Sequence, residues 1–206
     1  MVNLAVFASG RGSNFVAIHN YIKERSLPAR YVLLVSDRPS PPVADLALAE
    51  GIPFLHLNAK AFPSRDDYVT RLLSELEARK VEWITLAGYL KLIPAEIVRR
   101  YPGHILNIHP ALLPLFGGKG MWGEHVQQAV IESGMKVSGA TVHIVDEQYD
   151  TGPIVLQETV PVQYEDTPES LAARVLEVEH RIYPRAVELA AKDKIRLHGR
   201  RVEILP

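Results

Sequence analysis

At 206 residues the chain is long enough for one α/β domain with a buried core and no covalent staples. Hydrophobic residues make up 47% and charged residues 23%, a globular composition, and no window approaches the ~20 apolar residues of a membrane span. Lys and Arg total 23 against 24 Asp and Glu, so a formal net charge of -1 supplies no long-range field for nucleic acid or an anionic membrane, and zero cysteines exclude disulfides, thiolate metal sites and a cysteine nucleophile.

From the N-terminus, residues 2–9 (VNLAVFAS) read as a strand, and 13–25 as a helix with Phe15, Ile18 and Ile22 on one stripe. Residues 30–37 form a second, β-branched strand. PPVADLALAEG is a short helix stopped by Gly51, and PFLHLN a third strand. Residues 64–80 form a helix with Ser64 as its N-cap and acidic residues in its first turn. Strands over 81–89 and 104–110 flank a helix that begins at Pro94. Near-continuous apolar strands alternating with helices predict a mostly parallel, Rossmann-like sheet covered by helices on both faces.

After residue 134 the pattern changes. Residues 136–147 and 152–162 are longer strands joined by QYDT, which predicts an antiparallel pair. A long helix follows, with Thr167 as N-cap, Pro168 at its first position and a kink expected at Pro184. The tail IRLHGRRVEIL reads as a hairpin turning at His198-Gly199. The N-terminus has no basic lead and only a short apolar run, so the expectation is a cytoplasmic protein.

In open parallel sheets ligands bind beyond the carboxyl ends of the strands. At one such end, HILNIHPALLP places Asn107 and His109 two residues apart, on one face of a strand that Pro110 terminates. An amide and an imidazole aimed the same way suit a carbonyl oxygen that gains negative charge. A carboxylate is then needed to orient the imidazole and favour its charged form. DEQYDTGP offers Asp146, Glu147 and Asp150; Asp150 adjoins the chain reversal and is the choice. No serine or cysteine elbow is present, so the chemistry expected is direct transfer between two bound substrates.

The first strand leads into SGRGSN, where Gly12, Ser13 and Asn14 precede and open a helix, a phosphate site built from backbone N–H groups. A plain turn capped by Ser13 is the structural alternative. A dinucleotide fold would use Asp37 for a ribose, but the spacing is G-x-G-x-x-F, with Phe15 at the third position. No histidine spacing suits a metal. His143 shares a strand face with Thr141 and is either structural or a support for the site. The glycine-rich run 116–125 is a lid or a surface loop.

ILNIHPALLP, YDTGPIV, SGRGSN, LAGYLKLI and RVLEVEHRIYP together resemble the folate-dependent formyltransferase family, with a match over nearly the whole chain. The resemblance implies the formyltransferase fold and transfer of a formyl group from 10-formyltetrahydrofolate to the amine of 5'-phosphoribosylglycinamide in purine synthesis. It maps catalysis onto Asn107, His109 and Asp150, and the substrate phosphate onto Gly12, Ser13 and Asn14, with Glu179 near the ribose. It also maps the folate onto Leu90, Lys91, Leu92, Ile93, Asp146 and Glu147, with Arg65 on the folate tail and no metal. Ala111 stands where the family usually has serine, Lys91 where arginine is frequent, and Thr151 where glycine is frequent.

On this reading residues 1–206 are a single formyltransferase domain. Residues 1–110 form a phosphate-binding βαβ half, and 111–206 a folate-binding half with the C-terminal helix and hairpin. Its partners are small molecules, not nucleic acid or membrane, and it is a monomer or homodimer. A methionyl-tRNA formyltransferase would call for an extra domain and a basic face, and a formyltetrahydrofolate hydrolase for a regulatory domain. The alternative from another class is a sugar-phosphate-binding module without catalysis.

Overall fold

The computed structural model describes residues 1–206. In chain order the elements are β1 (Val2–Phe7), α1 (Ser13–Glu24), β2 (Ala29–Ser36), α2 (Val43–Ala49), β3 (Phe54–His56), α3 (Arg65–Ala78), β4 (Trp83–Leu86), α4 (Ala95–Arg100) and β5 (Ile105–His109). There follow α5 (Glu124–Glu132), β6 (Val137–Ile144), β7 (Ile154–Pro161), α6 (Pro168–Ala191), β8 (Ile195–His198) and β9 (Arg201–Ile204). Seven strands form one sheet in the order β3-β2-β1-β4-β5-β6-β7, and β8 pairs with β9 separately. The mostly parallel sheet and the antiparallel pair after residue 134 are both present. No helix is long and apolar enough to cross a membrane. The chain divides into two compact units, Met1–Leu106 and Asn107–Pro206.

In the first unit, β1 lies between parallel neighbours, with Val6 opposite Leu34 of β2 and Thr85 of β4. Leu4, Ala5, Val6 and Phe7 are all buried, which is why this strand is apolar at every position rather than at alternate ones. Phe15, Ile18 and Ile22 form the buried stripe of α1. Complete burial of side chains of this size contributes roughly 1.5–3 kcal/mol each. Ser64 caps α3 by accepting a hydrogen bond from the Asp67 N–H at 3.1 Å.

In the second unit, β6 and β7 run antiparallel, with Gly139 opposite Thr159 and an irregularity at Val142/His143. A reciprocal capping box between Thr167 and Ser170 starts α6, and Pro168 occupies its first position without losing a needed hydrogen bond. The helix runs through Pro184 without interruption. Tyr183, Pro184, Ala186 and Val187 are all buried there, so tertiary packing holds the turn whose N–H is missing. The C-terminal hairpin turns at Gly199 and Arg200, one residue beyond the expected position, because His198 already pairs with Arg201. Gly199 takes the positive φ of +62° there.

Candidate active site

The polar pair at the end of β5 is built as its period-two spacing predicts, with Asn107 half-buried and His109 only 3% exposed. His109 has an acceptor at each ring nitrogen. Its Nε2–H donates to the Phe116 carbonyl at 2.8 Å, and its Nδ1 lies 3.5 Å from Asp150 Oδ2. Burial pushes the His109 pKa below its ordinary value. The Asp150 carboxylate and the Phe116 carbonyl push it back up without cancelling that effect. Desolvation thus opposes the charge that Asp150 favours on this ring. The Nε2–H is committed to the Phe116 carbonyl, and Nδ1 faces the Asp150 carboxylate.

His143 organises the other half. Its Nδ1–H donates to the Ile144 carbonyl at 2.9 Å, which leaves Nε2 as an acceptor. The Asn107 amide donates to that nitrogen at 3.1 Å and to Asp150 Oδ1 at a longer 3.4 Å. The imidazole thus sets which way the Asn107 NH₂ points. His143 Nε2 itself lies 3.5 Å from Asp150 Oδ1.

Asp150 sits in the left-handed region at φ +56°, with only 10% of its side chain exposed. Burial raises its carboxyl, but the imidazoles of His143 and His109 and the Gly118 N–H, which donates at 2.9 Å, hold it below its usual value. The turn that carries it is tied internally. Asp146 accepts from the Gln148 N–H at 3.0 Å and from the Thr151 hydroxyl at 2.7 and 2.8 Å. Gly152 admits no side chain, since a Cβ there would lie 1.8 Å from the Ile144 carbonyl oxygen. Beside the turn is a cavity of about 670 Å³ lined by Leu113, Pro114, Asp146, Glu147, Asp150 and Arg200, among others. That volume suits a small organic ligand.

The remaining predicted residues are placed as follows. In the first unit, Gly12 takes φ +76° as the residue before α1, and its absent side chain makes room for Val43, whose Cγ2 would lie 2.3 Å from a Cβ. Ser13 is the first helical residue rather than the cap, and it is exposed, while Asn14 is buried. Leu90, Lys91 and Leu92 are exposed and Ile93 is buried in the core. Both Arg65 guanidinium nitrogens are engaged by Glu96, at 2.6 and 2.7 Å. Asp37, the alternative ribose acid, instead accepts from the Ser9 hydroxyl. In the second unit Glu179 is buried on α6, and Glu147 is exposed at the cavity. The structure brings Asn107, His143 and Asp150 into one hydrogen-bonded cluster, with His109 Nδ1 3.5 Å from the Asp150 carboxylate. Phe116 and Gly118 join it through backbone atoms, which no residue-type pattern reveals.

The family described as formyl transferase matches residues 2–187. A chloroplastic phosphoribosylglycinamide formyltransferase of Arabidopsis thaliana is 47% identical over 94% of the chain, which spans 66% of that relative. The phosphoribosylglycinamide formyltransferase of Bacillus subtilis is 39% identical over 91% of the chain and 94% of its own length. The crystal structure of glycinamide ribonucleotide transformylase 1 from Symbiobacterium toebii superposes with a TM-score of 0.93 at 41% identity, covering 100% of this chain and 95% of that one. With a matched segment running through both units and a polar cluster at the end of β5, this chain belongs to the formyl transferase family of enzymes.

Proposed function

We propose that the chain transfers the formyl group of 10-formyltetrahydrofolate to the amine of 5'-phosphoribosylglycinamide, a step of purine synthesis, and that residues 1–206 act as one formyltransferase domain. The observation that carries this reading is the meeting of Asn107, His109 and Asp150 at a strand's carboxyl end, with Asn107 hydrogen-bonded to Asp150 and His109 3.5 Å from it, in a member of this family. The amine nitrogen attacks the formyl carbon and the C–N bond forms. The carbonyl oxygen becomes an oxyanion, which takes hydrogen bonds from His109 Nε2–H and from the Asn107 N–H that now makes the longer bond to Asp150. For this the Phe116 carbonyl must leave His109, so the 116–125 segment acts as a lid. The proton lost by the amine passes through water to His109 Nδ1, where Asp150 stabilises it. It then goes to the folate nitrogen as the old C–N bond breaks.

The phosphate is assigned to Gly12, Ser13 and Asn14, the ribose to Glu179, and the folate to Leu90, Lys91, Leu92, Ile93, Asp146 and Glu147. For Ile93 and Asp146, burial and the Thr151 hydrogen bonds restrict the side chains, so their contribution is through backbone groups. Arg65 reaches a folate carboxylate only by releasing Glu96. Glu96→Ala therefore lowers the KM for the folate by about threefold, the scale of an exposed ion pair, whereas Arg65→Ala raises it. Equal folate KM values in wild type and Glu96→Ala would remove Arg65 from the folate site. No metal takes part in this scheme, the partners are small molecules, and a monomer or homodimer suffices for it. The cytoplasm is proposed from the sequence alone; the Arabidopsis relative is chloroplastic by name.

The competing reading is a phosphate-binding module in which His109 is a core histidine satisfied by a loop carbonyl, as its bond to Phe116 allows. Tetrahydrofolate release, followed with both substrates and with each omitted, separates the readings. Transfer requires release only when both are present. Release without the amine substrate indicates hydrolysis, and thermal stabilisation by the phosphate substrate without any release indicates the binding module; either overturns the proposal.

A further inference from the structure

We infer that Arg200, at the tip of the C-terminal hairpin, is a positioning residue for Asp150, so that the hairpin beyond the matched family segment is a working part of the active site. This rests on the proposed role of Asp150 as the partner of His109. Arg200 donates from Nη2 to the Thr151 carbonyl at 3.0 Å, across 49 residues of sequence. It is the one basic residue on the wall of the cavity that Asp146, Glu147 and Asp150 share.

The reason this bond matters lies in the backbone of Asp150. At φ +56° Asp150 lies in the left-handed region, which aspartate visits more readily than most residues but holds only where its surroundings fix the turn. Three restraints act on the following two residues. Asp146 holds the Thr151 hydroxyl, the Ile144 carbonyl leaves Gly152 no room to move, and Arg200 holds the Thr151 carbonyl. The first two come from the turn and the strand before it. The Gly118 N–H and the Asn107 amide hold the Asp150 carboxylate, but only Arg200 ties the Thr151–Gly152 peptide to an element outside the turn and the strand before it. Without it the Thr151–Gly152 peptide can rotate, Asp150 can relax, and its carboxylate leaves the 3.5 Å approach to His109 Nδ1.

The test compares Arg200→Ala, Arg200→Lys and Asp150→Asn with wild type, and uses Arg196→Ala as a control on the same hairpin, where the guanidinium serves Asp193, local carbonyls and, through charge, Glu203. Two quantities are read: kcat for formyl transfer, and the titration of the His109 imidazole by NMR. The ionisable groups acting on that ring are Asp150 and His143. Arg200→Ala lowers kcat by about fivefold to tenfold, with the KM values little changed, since one interaction acting through the turn is lost. It also moves the His109 titration to lower pH, because the carboxylate that opposes burial has withdrawn. Arg200→Lys, which keeps one donor, recovers part of both effects, and Arg196→Ala changes neither. If truncation unfolds the hairpin, Arg200→Met keeps the aliphatic stem without the donors and takes its place. Wild-type kcat in Arg200→Ala, or a lower kcat with an unmoved His109 titration, overturns the inference while Asp150→Asn stays impaired. An Asp150→Asn variant with wild-type turnover overturns the underlying assignment instead.

Discussion

His109→Ala lowers kcat by about 10²-fold or more, and Asn107→Ala does so by a comparable factor, while both KM values change far less. In the proposed mechanism each side chain presents an N–H where the oxyanion forms, and at rest each N–H is held by a protein acceptor in a largely buried site. The donors act on one atom, so the double variant loses less than the product of the single losses. Steady-state kinetics of the three variants is sufficient, and near-wild-type turnover in either single variant would remove that residue from the mechanism. The same histidine gives a pH dependence with a definite sign. Its folded pKa is lowered by burial, so below the unfolded value of about 6.5 the unfolded state binds more protons than the native state. Its contribution makes stability fall as pH drops from about 6.5 through the lowered folded pKa, and leaves it flat above. Turnover follows the neutral ring and is lost on acidification over the lower part of that range. Urea unfolding across about pH 5 to 8, compared between wild type and His109→Gln, reads the first effect directly.

Gly152→Ala is the substitution that most damages the turn itself. The new methyl group would meet the Ile144 carbonyl at 1.8 Å, a clash with backbone that no side-chain rotation relieves. Relief requires the turn to shift away from β6, and Asp150 shifts with it. The expected result is a loss of about 3 kcal/mol or more in unfolding free energy, at the upper end for overpacking, together with a kcat reduced by about tenfold or more. Gly10→Ala is the stability control, because nothing lies within 4 Å of a Cβ there. Thermal unfolding that finds Gly152→Ala as stable as Gly10→Ala would show that the turn tolerates displacement.

Much of the scaffold was legible because it depends on neighbours close in the chain. The stripe Phe15, Ile18 and Ile22, the Ser64 cap and the Thr167–Pro168 start of α6 are all where local spacing and capping chemistry put them. The same holds for the polar pair of β5, since a two-residue separation puts two side chains on one strand face whatever surrounds them. The hairpin turn was displaced by one residue, because register between two short strands is decided by pairing rather than by the position of a single glycine.

Short-range periodicity is enough to give the element order, the parallel-then-antiparallel strand pattern, and an amide and an imidazole on one strand face. What those groups touch at rest follows from contacts between residues far apart in the chain. The tertiary structure set His143 to orient Asn107, closed the Phe116 carbonyl over His109, paired Arg65 with Glu96 and joined Arg200 to Thr151. It also set the burial that lowers the His109 pKa, since the cost of desolvating an imidazole depends on everything packed around it and not on the residues beside it in the chain.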